Sequence, residues 1–386
     1  MTQGTFWGYA RPDGSVGIRN AVAVVSVMDN CNPVTRAVAQ AVQGTIYLPG
    51  SYIRGQLAKD REITLHVTAG LCLNPNVAGV VVIGLEPGTT RELVELVKPS
   101  GKPVESVNIQ LCGGTIQAIA EGTRAALRLS REASRQRREA FPLSKLRLGL
   151  ECGGSDTTSG LASNPSIGVV ADYIVASGGT AIITETSEFF GAEHLFAERA
   201  GTPEVGRKIL DTIRGHEQDI IALGIDLRGS NPSPDNIRGG LTTIEEKALG
   251  AMSKAGRSKV IEVLSYGEAP RKPGLHFMAG PAPAVESITG LAAGGCQMCL
   301  FSTGVGNPIG HPVATVVKIS GNRNTLNTMP DNVDFDVTGI LEKNETVGSA
   351  GERLTQYALA VASGELTTSE LLDTRDSAIS RFGISM

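Results

Sequence analysis

The sequence predicts an α/β fold arranged as two Rossmann-like domains with largely parallel sheets. Three observations carry that expectation. Short runs of β-branched residues alternate with helix-like segments along most of the chain. The order strand, polar loop, Asn-Pro helix start occurs twice. An arginine-rich stretch separates the two occurrences.

In chain order, "AVAVVSV", "VAGVVVIGL", "VESVNIQ", "LRLGLE", "TAIITET" and "MCLFST" read as buried strands. Strands alternating with helices argue for parallel sheets joined by right-handed crossovers. The stretch "NAVAVVSVMDNCNPVTRAVAQAVQG" contains one complete unit. Asn32 is the expected N-cap and Pro33 the first helical residue. Val34, Val38 and Ala41 supply an inner face, and Gly44 is the stop. In "GLECGGSDTTSGLASNPSIG" the grammar returns, with Asn164 and Pro165 expected to start a helix whose inner face is Val169, Val170, Tyr173 and Ile174 and whose end is Gly178.

Cys31 and Cys152 therefore take equivalent places just past a strand's C-terminal end, where open α/β sheets put their ligand crevice. The stretch "RAALRLSREASRQRREAFPLSKLR" between the units reads as a solvated helix ending near Pro142. It sets the expected division into residues 1–142 and 143–386.

The chain has 386 residues, enough for two or three domains at roughly 100–200 residues each. Lys and Arg number 35 against 39 Asp and Glu, a net charge of -4, which gives no general field for nucleic acid. No aromatics interleave with the arginines of the linking helix. No apolar run approaches the ~18 residues of a membrane span. The opening "MTQGTFWGYARPDGSVG" lacks the pattern of a signal peptide, so a soluble, cytoplasmic protein is expected. Six cysteines are too sparse for a disulfide framework and read as buried thiols, metal ligands or nucleophiles.

The "CGGSD" loop presents Gly153, Gly154 and Ser155 for an anion, Cys152 as metal ligand or nucleophile, and Asp156 as ligand or base. Its plainer reading is a tight glycine turn over a buried thiol. "CQMC" stands alone and runs into an apolar strand, so Cys296 and Cys299 are expected in the core. In "TETSEFFGAEHL", Glu185 ends a strand and is a candidate ligand or base. Ser187 is an expected N-cap and Glu188 a complement to the helix start, while His194 is a weaker catalytic candidate. "TTIEEK" forms a capping box from Thr243 to Glu246. Lys247, a cation at a helix start, calls for an anion beside it and is a candidate base or carboxylate clamp.

"FSTGVGNPIGHP" places Thr303, Gly304, Gly306, Asn307 and His311 after a strand, as a ligand loop or as a hairpin between two strands. Arg19 and Asn20 stand at the mouth of the first buried strand, where an arginine can clamp a carboxylate. A nucleotide site is disfavoured: no G-x-G-x-x-G follows a strand with an acidic residue at the required distance, and aromatics are 4% of the chain.

Six stretches together resemble the large, C-terminal part of the altronate dehydratase, galactarate dehydratase and sulfolactate sulfo-lyase family. They are "GYARPDGSVGIRN", "NPNVAGVVVIGL", "CGGSDTTSGLASNP", "TETSEFFGAEHL", "GGLTTIEEKALG" and "FSTGVGNPIGHPVATVVKIS", in that order. The resemblance implies an iron-dependent lyase, with Fe2+, an iron-sulfur cluster or another divalent metal, removing water or sulfite from a small hydroxy acid. It implies polar site positions at Arg19, Asn20, Cys31, Cys152, Ser155, Asp156, Glu185, Glu188, His194, Lys247, Thr303 and Gly304. Cys31, Cys152 and Glu185 are the expected metal ligands, and Lys247, Asp156 and His194 the expected catalytic groups. Arg19, Asn20, Gly153, Gly154, Ser155, Thr303, Gly304 and Asn307 are expected to hold substrate.

The family often carries a small N-terminal domain, fused or separate, so a small partner chain is expected, as is a homo-oligomer. Two departures stand out. "YIRGQ" replaces the family's Gly-Cys-Gly, and "EPG" stands where a cysteine and a glutamate are usual. Two thiols of a cysteine-rich iron site are thereby missing. A non-catalytic, anion-binding paralogue is the reading those losses favour, and the intact polar loops oppose it.

Overall fold

A computed structural model describes residues 4–50 and 53–383. Met1, Thr2 and Gln3 of the opening stretch and Tyr52 of "YIRGQ" lie outside the described residues. β1 (Thr5–Ala10) and β2 (Val16–Gly17) pair antiparallel. β3 (Ala21–Ser26), β4 (Thr45–Leu48), β5 (Val77–Gly84) and β6 (Val104–Asn108) form a parallel sheet in the order β4-β3-β5-β6. Every residue of β5 is buried, which suits the unbroken apolar run of a strand covered on both faces. β7 (Glu139–Pro142) then returns to pair antiparallel with β1.

The second sheet is larger. β8 (Arg147–Cys152), β9 (Thr180–Ile183), β10 (Val260–Leu264), β11 (Gly274–Met278), β12 (Met298–Ser302), β13 (Thr315–Ser320) and β14 (Phe335–Asp336) stand in the order β10-β11-β9-β8-β12-β13-β14. All neighbours are parallel. The chain enters at β8, works outward through β9 to the edge strands, then crosses to the other side of β8 as β12. Direction reverses between β8 and β12, the position at whose C-terminal ends open α/β sheets generally bind their ligands. The fold is α/β with two parallel sheets, and all six expected strands are present.

Two local expectations are corrected. β12 and β13 are parallel neighbours, so residues 303–314 form a crossover and not a hairpin loop. Nor does Asn164-Pro165 start a helix. Helical backbone begins at Thr157 and passes through one turn of π-helix, Ser159–Ser163, before the α-helix Asn164–Ala176. Proline is tolerated there because the wider turn relaxes the i−4 bonding that its ring and missing N–H would disrupt. Gly178 ends the helix as expected, with φ 81°.

The sheets meet through the helices Ala58–Leu73 and Ala284–Ala293. Gly70 permits the approach: a Cβ there would stand 2.6 Å from the Ala293 carbonyl oxygen. The "NPN" motif supplies the polar part of the joint. The Asn74 amide donates to the Ala292 and Cys296 carbonyls at 2.7 and 2.9 Å, and that of Asn76 to Gln297 and Val313, both at 2.8 Å. Among the described residues no helix is long and apolar enough to cross a membrane.

Candidate active site

Three glycine-bearing loops converge on Asp156 at the C-terminal edge of the larger sheet. The Gly153 N–H donates to the Ser302 carbonyl, and those of Gly304 and Val305 to the Gly154 carbonyl, all at 3.0 Å. A Cβ on Gly304 would stand 2.1 Å from the Asp156 carboxyl carbon, and one on Gly239 would stand 2.6 Å from the Asp156 Cβ. The glycines are thus required by the buried aspartate they enclose. Asp156 caps the helix that follows it: Oδ1 accepts from the Ser159 N–H at 2.9 Å and the Thr158 hydroxyl at 2.7 Å. Its Oδ2 accepts from the Asn322 amide at 2.7 Å. Both oxygens are engaged, which places Asp156 as a cap and loop anchor rather than as a free base. Thr303 accepts from the Gly306 N–H at 3.1 Å, and Asn307 from that of Ile309 at 2.9 Å. These two side chains brace the loop that carries them.

Beneath this loop lies a charged centre. The Lys254 ammonium sits 2.9 Å from Cys152 Sγ and 2.5 Å from Glu185 Oε2, with the lysine 0% exposed. Glu185 also accepts from the Cys152 N–H at 3.2 Å. Glu185 is one of three described non-glycine residues with positive φ, at 70°, a left-handed conformation that costs energy unless surrounding contacts enforce it. Burial pushes its carboxyl up to about 7 against the pull of Lys254, and burial likewise raises the Cys152 thiol. For Lys254 burial acts downward, but Cys152 and Glu185 outweigh it and hold the group charged. Glu151 lies deeper. Burial and Glu185 raise its carboxyl well above the usual range, with Lys254 and the Ser287 hydroxyl pulling the other way.

Glu188 and Lys247 form a second pair nearer the surface. Lys247 Nζ is 3.0 Å from Glu188 Oε1 and 2.9 Å from Asn231 Oδ1, with side chains 12% and 8% exposed for Lys247 and Glu188. Glu188 Oε2 is buried and has no hydrogen-bond partner among the described residues. Lys247 faces a cleft of about 560 Å³ bordered by Ser155, Leu161, Thr243, Glu245 and Leu249. The cation at the helix start is thus answered by a carboxylate of the chain. Thr243 caps that helix through the Glu246 N–H at 3.1 Å, while Glu246 turns back to the Thr242 N–H at 2.8 Å.

Other expected site residues lie apart. Arg19 does clamp a carboxylate bidentately, but it is Glu370 of the same chain, at 2.6 and 2.8 Å. Asn20 is spent on the Ala133 carbonyl and Arg11, both at 2.8 Å. Both precede β3, at the edge of the smaller sheet opposite to the strand ends that carry Cys31. His194 is exposed on the short helix Glu193–Ala197. Ser187 does not cap a helix; it lies within the 3-10 turn Thr186–Phe189, whose preceding residue is Glu185.

Cys31 belongs to the apolar core of the smaller sheet and Cys152 to the larger one, so the expected ligand set Cys31, Cys152, Glu185 is not assembled. Among the described residues no group of three or more His, Cys, Asp or Glu side chains is arranged to hold a metal ion. Cys152 and Glu185 do not fit one either, because the space between their donors is taken by the Lys254 ammonium. A metal there would strand a buried cation without a partner.

Sequence reasoning missed Lys254 and Glu151. A lysine at the end of a helix reads as an ordinary complement to the helix dipole. A signal was nonetheless present: Lys247 and Lys254 are seven apart, two turns on one helical face, and Glu185 and Glu188 are three apart.

Residues 143–385 match the family described as D-galactarate/Altronate dehydratase, C-terminal. Residues 8–134 match D-galactarate dehydratase/Altronate hydrolase, second domain. The chain belongs to the D-galactarate/altronate dehydratase family. Within it, the (2R)-sulfolactate sulfo-lyase subunit beta of Chromohalobacter salexigens is 40% identical over 98% of this chain and 97% of that protein. The altronate dehydratase of Bacillus subtilis is 33% identical over 99% of this chain and 78% of that protein. The galactarate dehydratase (L-threo-forming) of Escherichia coli is 32% identical over 94% of this chain and 74% of that protein. Relatives in this dehydratase family are lyases by name, and the chain is an enzyme of that class, a hydro-lyase by family.

Proposed function

We propose that this chain eliminates water from a sugar acid or related small hydroxy acid in the cleft beside Lys247. The observation that carries the reading is the Glu188–Lys247 pair, in which one carboxylate oxygen is left without a partner next to a cation facing a cleft. Glu188 Oε2 takes the proton from the carbon bearing the substrate carboxylate. The developing enediolate is a dianion, and the Lys247 ammonium stabilises it. The C–H and neighbouring C–O bonds break, a C=C bond forms, and the leaving hydroxide takes back the proton that Glu188 received and departs as water, which returns Glu188 to its carboxylate. The resulting enol becomes a 2-oxo acid. Ser155 and Thr243 line the same cleft and offer hydroxyls to the substrate. Iron is implied by the family resemblance, but the Cys152–Glu185 donors do not fit it, and no step is assigned to a metal.

The full-length match to a sulfo-lyase subunit favours a second reading, with sulfite as the leaving group from sulfolactate. That relative's name, subunit beta, also supports a separate smaller partner chain, and self-association is a further proposal. A substrate panel tests the readings together. Altronate, galactarate and sulfolactate are incubated with the chain, and 2-oxo acid and sulfite are measured separately. Oxo acid without sulfite is expected. Unchanged turnover in a folded Glu188→Gln variant would remove the assignment.

A further inference from the structure

We propose that Lys254 is a positioning residue of this lyase: it stands where a metal ion would stand between Cys152 and Glu185, and through Glu185 it sets the carboxylate of Glu188. The first half stands on geometry alone, and the second rests on the reading of Glu188 as the base.

One helix, Ile244–Met252, and the 3-10 turn that continues it, Ser253–Ala255, deliver both lysines. Lys247, which lines the cleft, meets Glu188, and Lys254 meets Glu185 in the core, giving two ion-pair rungs between the same two segments. The carboxylate side is one tight turn. The Glu188 N–H donates to the Glu185 carbonyl at 2.8 Å, so the backbone of Glu188 is fixed by that of Glu185. Glu185 keeps a left-handed backbone that a glutamate adopts only under constraint. The contacts that constrain it are the Lys254 ammonium and the Cys152 N–H. Removing Lys254 leaves Glu185 buried without its cation and releases the turn that aims Glu188. A metal ion cannot do the same work beside Lys254, because both would need the space between Sγ and the carboxylate.

Two measurements on the full chain test this. In the first, Co2+ is titrated into the purified protein and thiolate-to-cobalt charge transfer is followed by absorption. No band dependent on Cys152 is expected. One equivalent of cobalt with a band that Cys152→Ser abolishes overturns the proposal, whatever the substrate. In the second, Lys254→Met and Lys254→Arg are compared by kcat and KM on the substrate the panel identifies. A displaced catalytic group costs on the order of 100-fold, so Lys254→Met is expected to lower kcat by about that factor with KM nearly unchanged, and Lys254→Arg to recover about tenfold. A folded Lys254→Met with wild-type kcat overturns it. Should that variant not fold, or no substrate turn over, the cobalt titration decides alone.

Discussion

The two cysteine loops begin from the same grammar and end in different chemistry. At Cys31 the α-helix starts one residue before the expected place, at Asn32, with Cys31 rather than Asn32 as its N-cap and the 3-10 turn Asp29–Cys31 ahead of it, and the thiol lies in the apolar core of the smaller sheet with the Asn30 side-chain oxygen at 3.7 Å. Burial first, then Asp29, raises that thiol to about 11, so it stays protonated. At Cys152 the helix starts earlier, capped by Asp156, and the thiol meets an ammonium and a carboxylate. What separates them is the second element reaching each strand end. An apolar environment meets Cys31; a helix carrying two lysines arrives over Cys152. A strand's C-terminal end is a place for a site, and the element packed above it decides whether chemistry occupies the place.

The sharpest way to break this comparison is activity. Glu188→Gln is expected to lower kcat by about 10²–10⁴, the usual share of a general base, while Cys31→Ser stays within about twofold of the wild type. Steady-state kinetics on both variants check the contrast, and equal losses would put the two loops on the same footing.

Stability comes next. Lys254→Ala leaves Glu185 as an uncompensated buried carboxylate and is expected to cost about 3–5 kcal/mol in urea unfolding. Cys31→Ala removes only a small apolar group and is expected to cost about 1–2 kcal/mol.

A pH series sharpens the larger sheet's side of the comparison. His311, in the crossover between β12 and β13, accepts from the Val313 and Ala314 N–H groups on Nδ1, both at 3.1 Å. Burial pushes its imidazole down to about 3 from 6.5. Its folded pKa is depressed, so between 6.5 and about 3 the unfolded chain binds a proton that the folded chain refuses. Stability therefore falls as pH falls through that window, by at most about 1.4 kcal/mol per unit. Urea unfolding of the wild type against His311→Asn measures it; the variant is less stable near neutrality but loses this part of the slope.

The smallest expected effect is at Arg19. Its carboxylate partner is Glu370, so Arg19→Lys is expected to leave KM within about twofold, while the loss of the bidentate pair lowers stability by about 1 kcal/mol. A large rise in KM would return Arg19 to the substrate.

Much of the site was legible, but often for a different reason than the residues suggested. "CGGSD" announced a crowded polar loop, and its glycines prove necessary because Asp156 needs the room. Lys247 announced an unbalanced cation, and its partner is Glu188. Arg19 announced a carboxylate clamp, and the carboxylate is internal. In each case the residue type stated what kind of partner it needs, and only the folded chain stated which group supplies it.

The sequence by itself determined the α/β class, the six strands named from their apolar runs, and the burial of Cys296 and Cys299, because these follow from local periodicity and side-chain volume. The parallel pairing of β12 with β13, the separation of Cys31 from Cys152, and the meeting of Lys254 with Glu185 were decided by tertiary structure. The ion pair joins residues 69 positions apart, while the two cysteines, alike in local sequence, end on different sheets. No local preference encodes such meetings; they are set by which strands become neighbours and which helix is packed across their ends.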